Sequence, residues 1–202
     1  MKQELIEAAL DNAEILIDQY IDNDIVKEIP ILGTALKLVK AASDIRDRMF
    51  AAKIGRFLSS LDSIPEEKKE KLREKMRSDQ EETNKIGEVI LFTLERLSDL
   101  EKPLIISKIF LAYIDGILDG DDFRRIVEAI DLAFVDDLNK FFALHKLPMK
   151  SQDPYLRYLV RTGLTEVVAG KTFDDVGELY YELTKLGTKA LNAYRHGSKI
   201  IS

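Results

Sequence analysis

Residues 104–118, LIISKIFLAYIDGIL, are apolar around nearly the whole circumference of a helix. Pro103 fits the first turn of such a helix, where its missing N–H removes no hydrogen bond. A helix that is hydrophobic all round cannot lie on a surface, because each of its faces has to be covered. This segment therefore predicts a central core helix and favours a mostly α fold.

Elsewhere in the first three quarters of the chain, apolar residues recur at intervals of three and four, the period of an amphipathic helix. This spacing predicts further helices over residues 2–23, 32–61, 66–77, 79–97 and 121–144. Two sequences have the spacing of a capping box, Ser63-Ile64-Pro65-Glu66 and Ser78-Asp79-Gln80-Glu81, and each marks a helix start. We therefore expect a helical body over residues 1–147.

After residue 147 the pattern changes to short segments separated by glycine. The sequence predicts, in order, a short helix over 155–162, β-strands over 164–168 and 178–183, and a last helix over 184–196. Gly163 stands where the short helix should stop, and Thr184 where the last helix should be capped. The expected fold is mostly α: a multi-helix bundle, followed over residues 148–202 by a small winged-helix-like α+β tail with one β-hairpin.

Composition limits the chemistry open to the chain. Its 202 residues include no cysteine and two histidines, His145 and His196. Disulfides and thiolate sites are excluded, and a His-based zinc site or a catalytic triad is poorly supplied. The sequence contains no P-loop, dinucleotide-binding, GxSxG or HExxH motif. We therefore expect a non-enzymatic protein without a cofactor.

The charge balance bears on partners and location. With 36 acidic against 30 basic residues, the net charge of -6 argues against a general polyanion binder. The N-terminal residues are acidic and contain no uninterrupted apolar run, so we expect no signal peptide and a cytoplasmic protein. Residues 31–60 hold six Lys or Arg against two Asp, which an interfacial membrane helix could also show. We expect instead a buried helix whose basic side chains reach solvent.

Carboxylates crowd the segment YIDGILDGDDF. They are Asp115, Asp119, Asp121 and Asp122. Such a cluster beside flexible glycines could hold a hard cation, but neither Asp-Gly pair fits the register of a calcium loop. Capping of the following helix accounts for the last three aspartates, so we expect a structural turn. Residues 110–130 also resemble the helix pair of the TerB tellurite-resistance family, and that resemblance implies acidic residues linked to metal binding.

A second charged run is SDIRDR, whose charged members are Asp44, Arg46, Asp47 and Arg48. On one helix, Asp44 and Arg48 would form an i,i+4 pair in the favourable order, acid first. The run is either a polar docking face for a partner or a solvated helix face, since exposed pairs of this kind are common and weak.

The tail contains Gly163-Leu164 and Leu183-Thr184-Lys185-Leu186-Gly187. These motifs resemble the second half of a MarR-type winged helix, in which a helix ends in Gly-Leu and a strand leads into Leu-Thr-x-x-Gly. The resemblance would make Arg157, Arg161 and Lys171 nucleic-acid contacts. Residues 154–202 hold only seven basic against five acidic residues, so we expect protein interaction or dimerisation in place of DNA binding.

As a whole the chain resembles small helical proteins of bacteria and phages, some of which are grouped with abortive infection. The resemblance rests on Ile29-Pro30-Ile31-Leu32-Gly33, on Ile45-Arg46-Asp47-Arg48-Met49-Phe50 and on the tail motif. It implies a protein-interaction or regulatory protein in phage–host conflict, with a protein partner that could be a second copy of the chain. The alternatives are a transcriptional regulator that binds DNA through the tail and a peripheral membrane protein acting through residues 32–61.

Overall fold

The structure is a computed structural model that describes residues 13–21, 23–40, 44–144, 151–170 and 176–201. Its helices are α1 Ala13–Tyr20, α2 Asp24–Glu28, α3 Pro30–Lys40, α4 Ile45–Asp62, α5 Glu66–Ser78, α6 Gln80–Arg96, α7 Lys102–Ile114, α8 Gly120–Leu132, α9 Val135–Phe142, α10 Pro154–Leu159 and α11 Lys185–Ile201. Its strands are β1 Thr165–Ala169 and β2 Leu179–Leu183, which pair antiparallel. The predicted fold class, a helical bundle with one hairpin near the C-terminus, is confirmed.

The central position predicted for the all-apolar helix is confirmed. Eleven of the 13 residues of α7 are buried, so the helix is enclosed on all sides. The Phe110 ring contacts the rings of Phe57 from α4, Tyr113 from α7 itself and Phe123 from α8. The distances from its centroid to theirs are between 5.7 and 6.1 Å. Tilted and edge-on aromatic pairs of this kind add about 0.5–1.5 kcal/mol each beyond the area that they bury.

The last helix, α11, approaches α7 as closely as only glycine permits. A Cβ built on Gly197 would lie 2.2 Å from the carbonyl oxygen of Lys108. Beside this contact, the Tyr194 ring stacks on Phe142 at 4.2 Å, and its hydroxyl accepts a hydrogen bond from Lys108 Nζ at 3.1 Å. The core members of α11 are Ala190, Leu191 and Ala193. The C-terminal stretch therefore shares one hydrophobic core with the helical body.

The prediction of one helix over residues 32–61 is wrong. Helix α3 ends at Lys40, and α4 begins after Asp44, whose carboxylate caps it by accepting from the Asp47 backbone N–H at 2.8 Å. The apolar spacing continues across this break through Ile45, but Ile45 is exposed. Most of the predicted apolar face is nevertheless buried, namely Leu32, Ala35, Leu36, Ala52, Ile54, Phe57 and Leu58.

The prediction of one helix over residues 121–144 is wrong in the same way. The chain leaves helical geometry at Ala133 and Phe134, which separate α8 from α9. Phe134 continues the apolar spacing but is exposed, because it serves as the N-cap residue of α9. Of the predicted helix over residues 2–23, residues 13–20 form α1, and residues 1–12 lie outside the part described.

Of the two predicted capping boxes, the first is wrong and the second is displaced by one residue. Helix α5 has Pro65 at its N-cap without a side-chain cap, and the Ser63 hydroxyl donates instead to the Ser60 carbonyl at 2.9 Å. Helix α6 is capped by Asp79, which accepts from the Glu82 N–H at 3.0 Å. Carboxylates are strong N-caps, so Asp79 replaces the neighbouring serine in this role.

The tail follows its local signals. Helix α10 continues as a 3₁₀ turn over Val160–Thr162 and stops at Gly163, whose φ of 76° is the left-handed conformation that favours glycine. The Thr184 hydroxyl accepts from the Gly187 N–H at 2.9 Å and donates to the Gly163 carbonyl at 2.6 Å. Thr184 therefore caps α11 and ties its start to the end of the short helix.

Buried lysines from other helices cap two helix C-termini in the body. Lys53, 6% exposed, donates to the Glu95 carbonyl at the end of α6, at 3.1 Å. Lys102, 5% exposed, donates to the Asp131 carbonyl at the end of α8, at 3.0 Å. Each ammonium meets the negative end of a helix dipole, which offsets part of the cost of burying it. In the described part of the chain, no helix is both long and apolar enough to cross a membrane.

Candidate functional site

A groove of about 550 Å³ separates the α10 region from the outer half of the hairpin. Its lining residues are Arg157, Val160, Arg161, Val167, Leu179 and Tyr181. We call it the arginine groove. Its volume lies within the range of ligand sites, and it brings together two of the residues that the sequence singled out, Arg157 and Arg161.

The hairpin supplies the apolar side of the arginine groove. Val167 lies opposite Tyr181 on the paired strand, and Leu179 is on the same face two residues before Tyr181. At the base of the hairpin this face is covered, since Thr165 is only 2% exposed. Further out it is open, with Val167 48% and Leu179 57% exposed. The hairpin thus extends beyond the core and leaves apolar side chains over the groove.

The two arginines supply the charge. Arg161 Nη2 donates to the Leu132 carbonyl at 3.1 Å, which holds its guanidinium against the end of α8. Neither Arg157 nor Arg161 forms an ion pair with a carboxylate among the residues that the structure describes. The third predicted contact, Lys171, lies outside the described residues. The groove therefore combines an open apolar face with two positive charges that no carboxylate of the described ranges neutralises in an ion pair.

Further exposed apolar residues contact a residue of this groove or lie close to one in sequence. Leu132, whose carbonyl accepts from Arg161, is 52% exposed. Phe134 follows it two residues later, and Tyr158 follows Arg157 on α10, and both are more than half exposed. Aromatic residues and arginine are enriched in the buried centres of protein–protein interfaces. The surface around the groove has that composition.

The tail does not place a tight helix-turn-helix beside the groove in the part of the chain described. That motif joins two helices through a turn of three or four residues. Here α9 ends at Phe142 and α10, which carries Arg157, begins at Pro154, so the connection between these two helices is longer than that turn. Ser151 forms an isolated bridge with Tyr181, which adds one residue to the free edge of β2.

The aspartates of the acidic turn are separated by their partners. Asp119 caps α8 by accepting from the Asp122 N–H at 2.7 Å, and the Asp122 carboxylate pairs with Lys189 of α11. Asp121 pairs with Arg124 at 2.7 Å. Within the described residues, no three His, Asp or Glu side chains are grouped so that they could hold a metal ion.

The fourth aspartate, Asp115, joins three helices. Its side chain is 6% exposed, and its Oδ2 accepts from Lys68 Nζ of α5 at 2.7 Å and lies 2.6 Å from His196 Nε2 of α11. Lys71 Nζ lies 2.9 Å from Oδ1 as an ion pair, outside hydrogen-bond angles. Burial raises the pKa of Asp115, but these three partners outweigh it and lower the pKa to about 2. The cluster offsets the unfavourable position of a carboxylate at a helix C-terminus.

The charged residues of the predicted docking face SDIRDR have separate roles in the structure and do not form one continuous face. Asp44 caps α4 and does not form the expected pair with Arg48, which is exposed. Arg46 reaches Glu95 of α6 at 2.9 Å. Asp47 lines a separate groove, between α3, α4 and α6.

The apolar half of the arginine groove was missed by sequence reasoning. Strand alternation places Val167 and Tyr181 on one face, but only the position of α10 decides how much of that face is covered. No protein-family model, curated protein or solved structure matches the chain.

Proposed function

We propose that the protein is a non-enzymatic interaction protein whose arginine groove binds an acidic, apolar segment of a partner protein. The observation that carries this proposal is a pair of guanidiniums, those of Arg157 and Arg161, beside the open face of Val167 and Leu179; neither has a carboxylate partner among the described residues. A guanidinium binds a carboxylate through two parallel hydrogen bonds. A segment with Asp or Glu next to Leu, Ile or Phe would therefore satisfy the charge and the apolar face together.

Two features favour a protein over a nucleic acid as the partner. Binding to a phosphate backbone needs several basic side chains along a surface, and the described lining of the groove supplies two, Arg157 and Arg161. The remaining lining is Val, Leu and Tyr, which leaves most of the groove unsuited to phosphates. The resemblance to abortive-infection proteins supports a cytoplasmic role for this interaction in phage–host conflict.

A phage-displayed library of random peptides, panned against the full chain, tests the proposal. We expect the enriched peptides to place Asp or Glu beside Leu, Ile or Phe. The affinity of an enriched peptide, measured by fluorescence polarisation, should fall at least about tenfold in Arg157→Glu and in Leu179→Asp. The matched control is Arg125→Glu, at an exposed arginine of α8 outside the groove, and it should leave the affinity unchanged.

Two results would contradict the proposal. The first is enrichment of peptides without carboxylates, or of peptides whose affinity is the same for Arg157→Glu and the parent chain. The second comes from a parallel selection with random duplex DNA. Sequence-selective, salt-sensitive DNA binding that Arg157→Glu abolishes would make the groove a nucleic-acid site.

A further inference from the structure

A second groove, of about 440 Å³, lies between α3, α4 and α6. Its apolar floor consists of Ile31 and Ala35 of α3, Phe50 of α4, and Leu91 and Phe92 of α6. We call it the acidic groove, because the charged residues that line it are carboxylates. The function proposed above does not use it.

The exposure of Phe92 indicates that the acidic groove is a binding surface. Phe92 belongs to the apolar floor of the groove, yet 52% of the residue is exposed to solvent. A large apolar side chain that remains exposed in a concave apolar groove is typical of a surface to which another molecule binds.

Two carboxylates line the groove, Asp47 of α4 and Glu95 of α6. Asp47 forms no ion pair with a basic residue in the part of the chain described. Glu95 pairs with Arg46 at 2.9 Å, but the Arg46 and Glu95 side chains are 80% and 44% exposed. Such an exposed pair is weak, so a cation of a partner could replace Arg46.

We propose that the acidic groove binds an amphipathic helix of a partner protein that carries Lys or Arg beside its apolar face. A groove walled by helices is a common receptor for a further helix, whose apolar face covers the floor while its polar face remains in water. A partner lysine or arginine would meet Asp47 and Glu95 at the edge of that contact. The chain would then hold two partners of opposite charge, one in each groove.

A phage-displayed library of randomised helical peptides tests this inference. The target is the full chain with Arg157→Glu and Arg161→Glu, which removes the charge of the arginine groove. We expect enriched peptides with apolar residues at helical intervals of three and four, flanked by Lys or Arg. By fluorescence polarisation, Phe92→Glu and Glu95→Lys should each weaken an enriched peptide at least about tenfold.

The matched control is Ile117→Glu, at an apolar residue that is 47% exposed but outside both grooves. It should leave the affinity for the basic peptide unchanged, and circular dichroism should show the same helix content in all variants. Failure to enrich any helical peptide, enrichment of acidic peptides, or affinity unaffected by Phe92→Glu would each overturn the inference. Binding of phosphatidylserine vesicles that Phe92→Glu abolishes would also overturn it, in favour of a lipid surface.

This outcome is separable from that of the proposed function. Phe92→Glu should leave the affinity of the acidic peptide for the parent arginine groove unchanged. If the acidic peptide binds and no basic helix does, only the inference about the acidic groove fails.

Discussion

The acidic groove and the arginine groove have similar volumes, about 440 and 550 Å³, and floors of similar apolar character. They differ in construction and in charge. Three helices enclose the acidic groove, whereas a short helix and the outer half of a hairpin enclose the arginine groove. In binding sites of this kind an apolar floor provides buried area, while the charges beside it determine which partner is favoured.

The two grooves are connected by a short series of contacts. Glu95 lines the acidic groove, and the next residue, Arg96, pairs with Asp131 at 2.8 Å. After Asp131 comes Leu132, whose carbonyl accepts from Arg161 of the arginine groove. The ends of α6 and α8 thus lie between the grooves, and the buried lysines that cap them hold this region in place.

Apart from truncation of a fully buried core ring, the largest expected effect comes from two glycines, one near each groove. A Cβ on Gly187 would lie 1.9 Å from the Leu164 carbonyl oxygen, which is backbone and cannot rotate away. A Cβ on Gly87 would lie 2.7 Å from Ile31 Cγ2, which is a side-chain atom. We expect Gly187→Ala to lower the free energy of unfolding by about 3 kcal/mol and Gly87→Ala by about 1 kcal/mol, measured by urea denaturation.

Peptide binding should also respond differently to the two glycine substitutions. Ile31 lines the acidic groove, so Gly87→Ala should weaken the basic helical peptide and leave the acidic peptide unaffected. Equal destabilisation by both substitutions would contradict this prediction. It would show that the backbone at Leu164 adjusts to an added methyl group as readily as the Ile31 side chain does.

The next effect concerns Asp115, which lies in neither groove. We expect Asp115→Asn to lower the free energy of unfolding at pH 7 by about 2 kcal/mol, because the carboxylate pKa is about 2 in the folded chain against 3.8 for an ordinary Asp. A depressed pKa stabilises the fold above the unfolded value, and this stabilisation is lost as the pH falls from about 4 towards 2. Urea denaturation across this pH window should therefore give a flatter pH dependence for the variant.

Asp121→Asn is the control for this measurement, since that side chain is 81% exposed and its ion pair with Arg124 is local. Its effect on stability should be small. Both grooves should keep their affinities in Asp115→Asn at neutral pH. If Asp115→Asn and Asp121→Asn lost the same stability and the same pH dependence, burial of the Asp115 carboxylate would not explain its effect.

Reversing one charge in each groove should have a smaller effect, on the free energy of peptide binding. Glu95→Lys should weaken the basic peptide about tenfold, or about 1.4 kcal/mol, and Arg161→Glu should weaken the acidic peptide by a similar factor. Each should leave the other peptide within about twofold. Fluorescence polarisation of both peptides against both variants gives the four affinities. Loss of both peptides in one variant would mean that the grooves do not act independently.

The smallest expected effects are on the free energy of unfolding, when exposed apolar residues that line the two grooves are replaced by polar ones. Phe92→Ser and Leu179→Thr should each change the free energy of unfolding by less than about 0.5 kcal/mol, because neither side chain is buried. Phe57→Ala, at a fully buried ring, should cost about 3–5 kcal/mol. Thermal denaturation compares the three. A cost above about 2 kcal/mol for Phe92→Ser would make that groove part of the core.

Local signals in the sequence predicted much of the architecture. The all-apolar α7, the glycine stop at Gly163 and the Thr184 cap depend on residues within one or two helical turns, so their structural consequences can be recognised without the fold. The same reasoning placed Arg157 and Arg161 one turn apart. It missed both helix breaks, because Ile45 and Phe134 continue the apolar spacing across them although both are exposed.

Which apolar residues are buried and which line a groove depends on how the helices and strands pack against one another. Phe92 follows Val89, which packs against the core, by three residues on α6, and Val167 has the strand alternation of Thr165. Periodicity specifies the face of an element, but burial depends on whether another element covers that face at that point. Helices α3 and α4 leave Phe92 half open, and α10 leaves the end of the hairpin open. That coverage comes from contacts between residues distant in sequence, so local spacing cannot encode it.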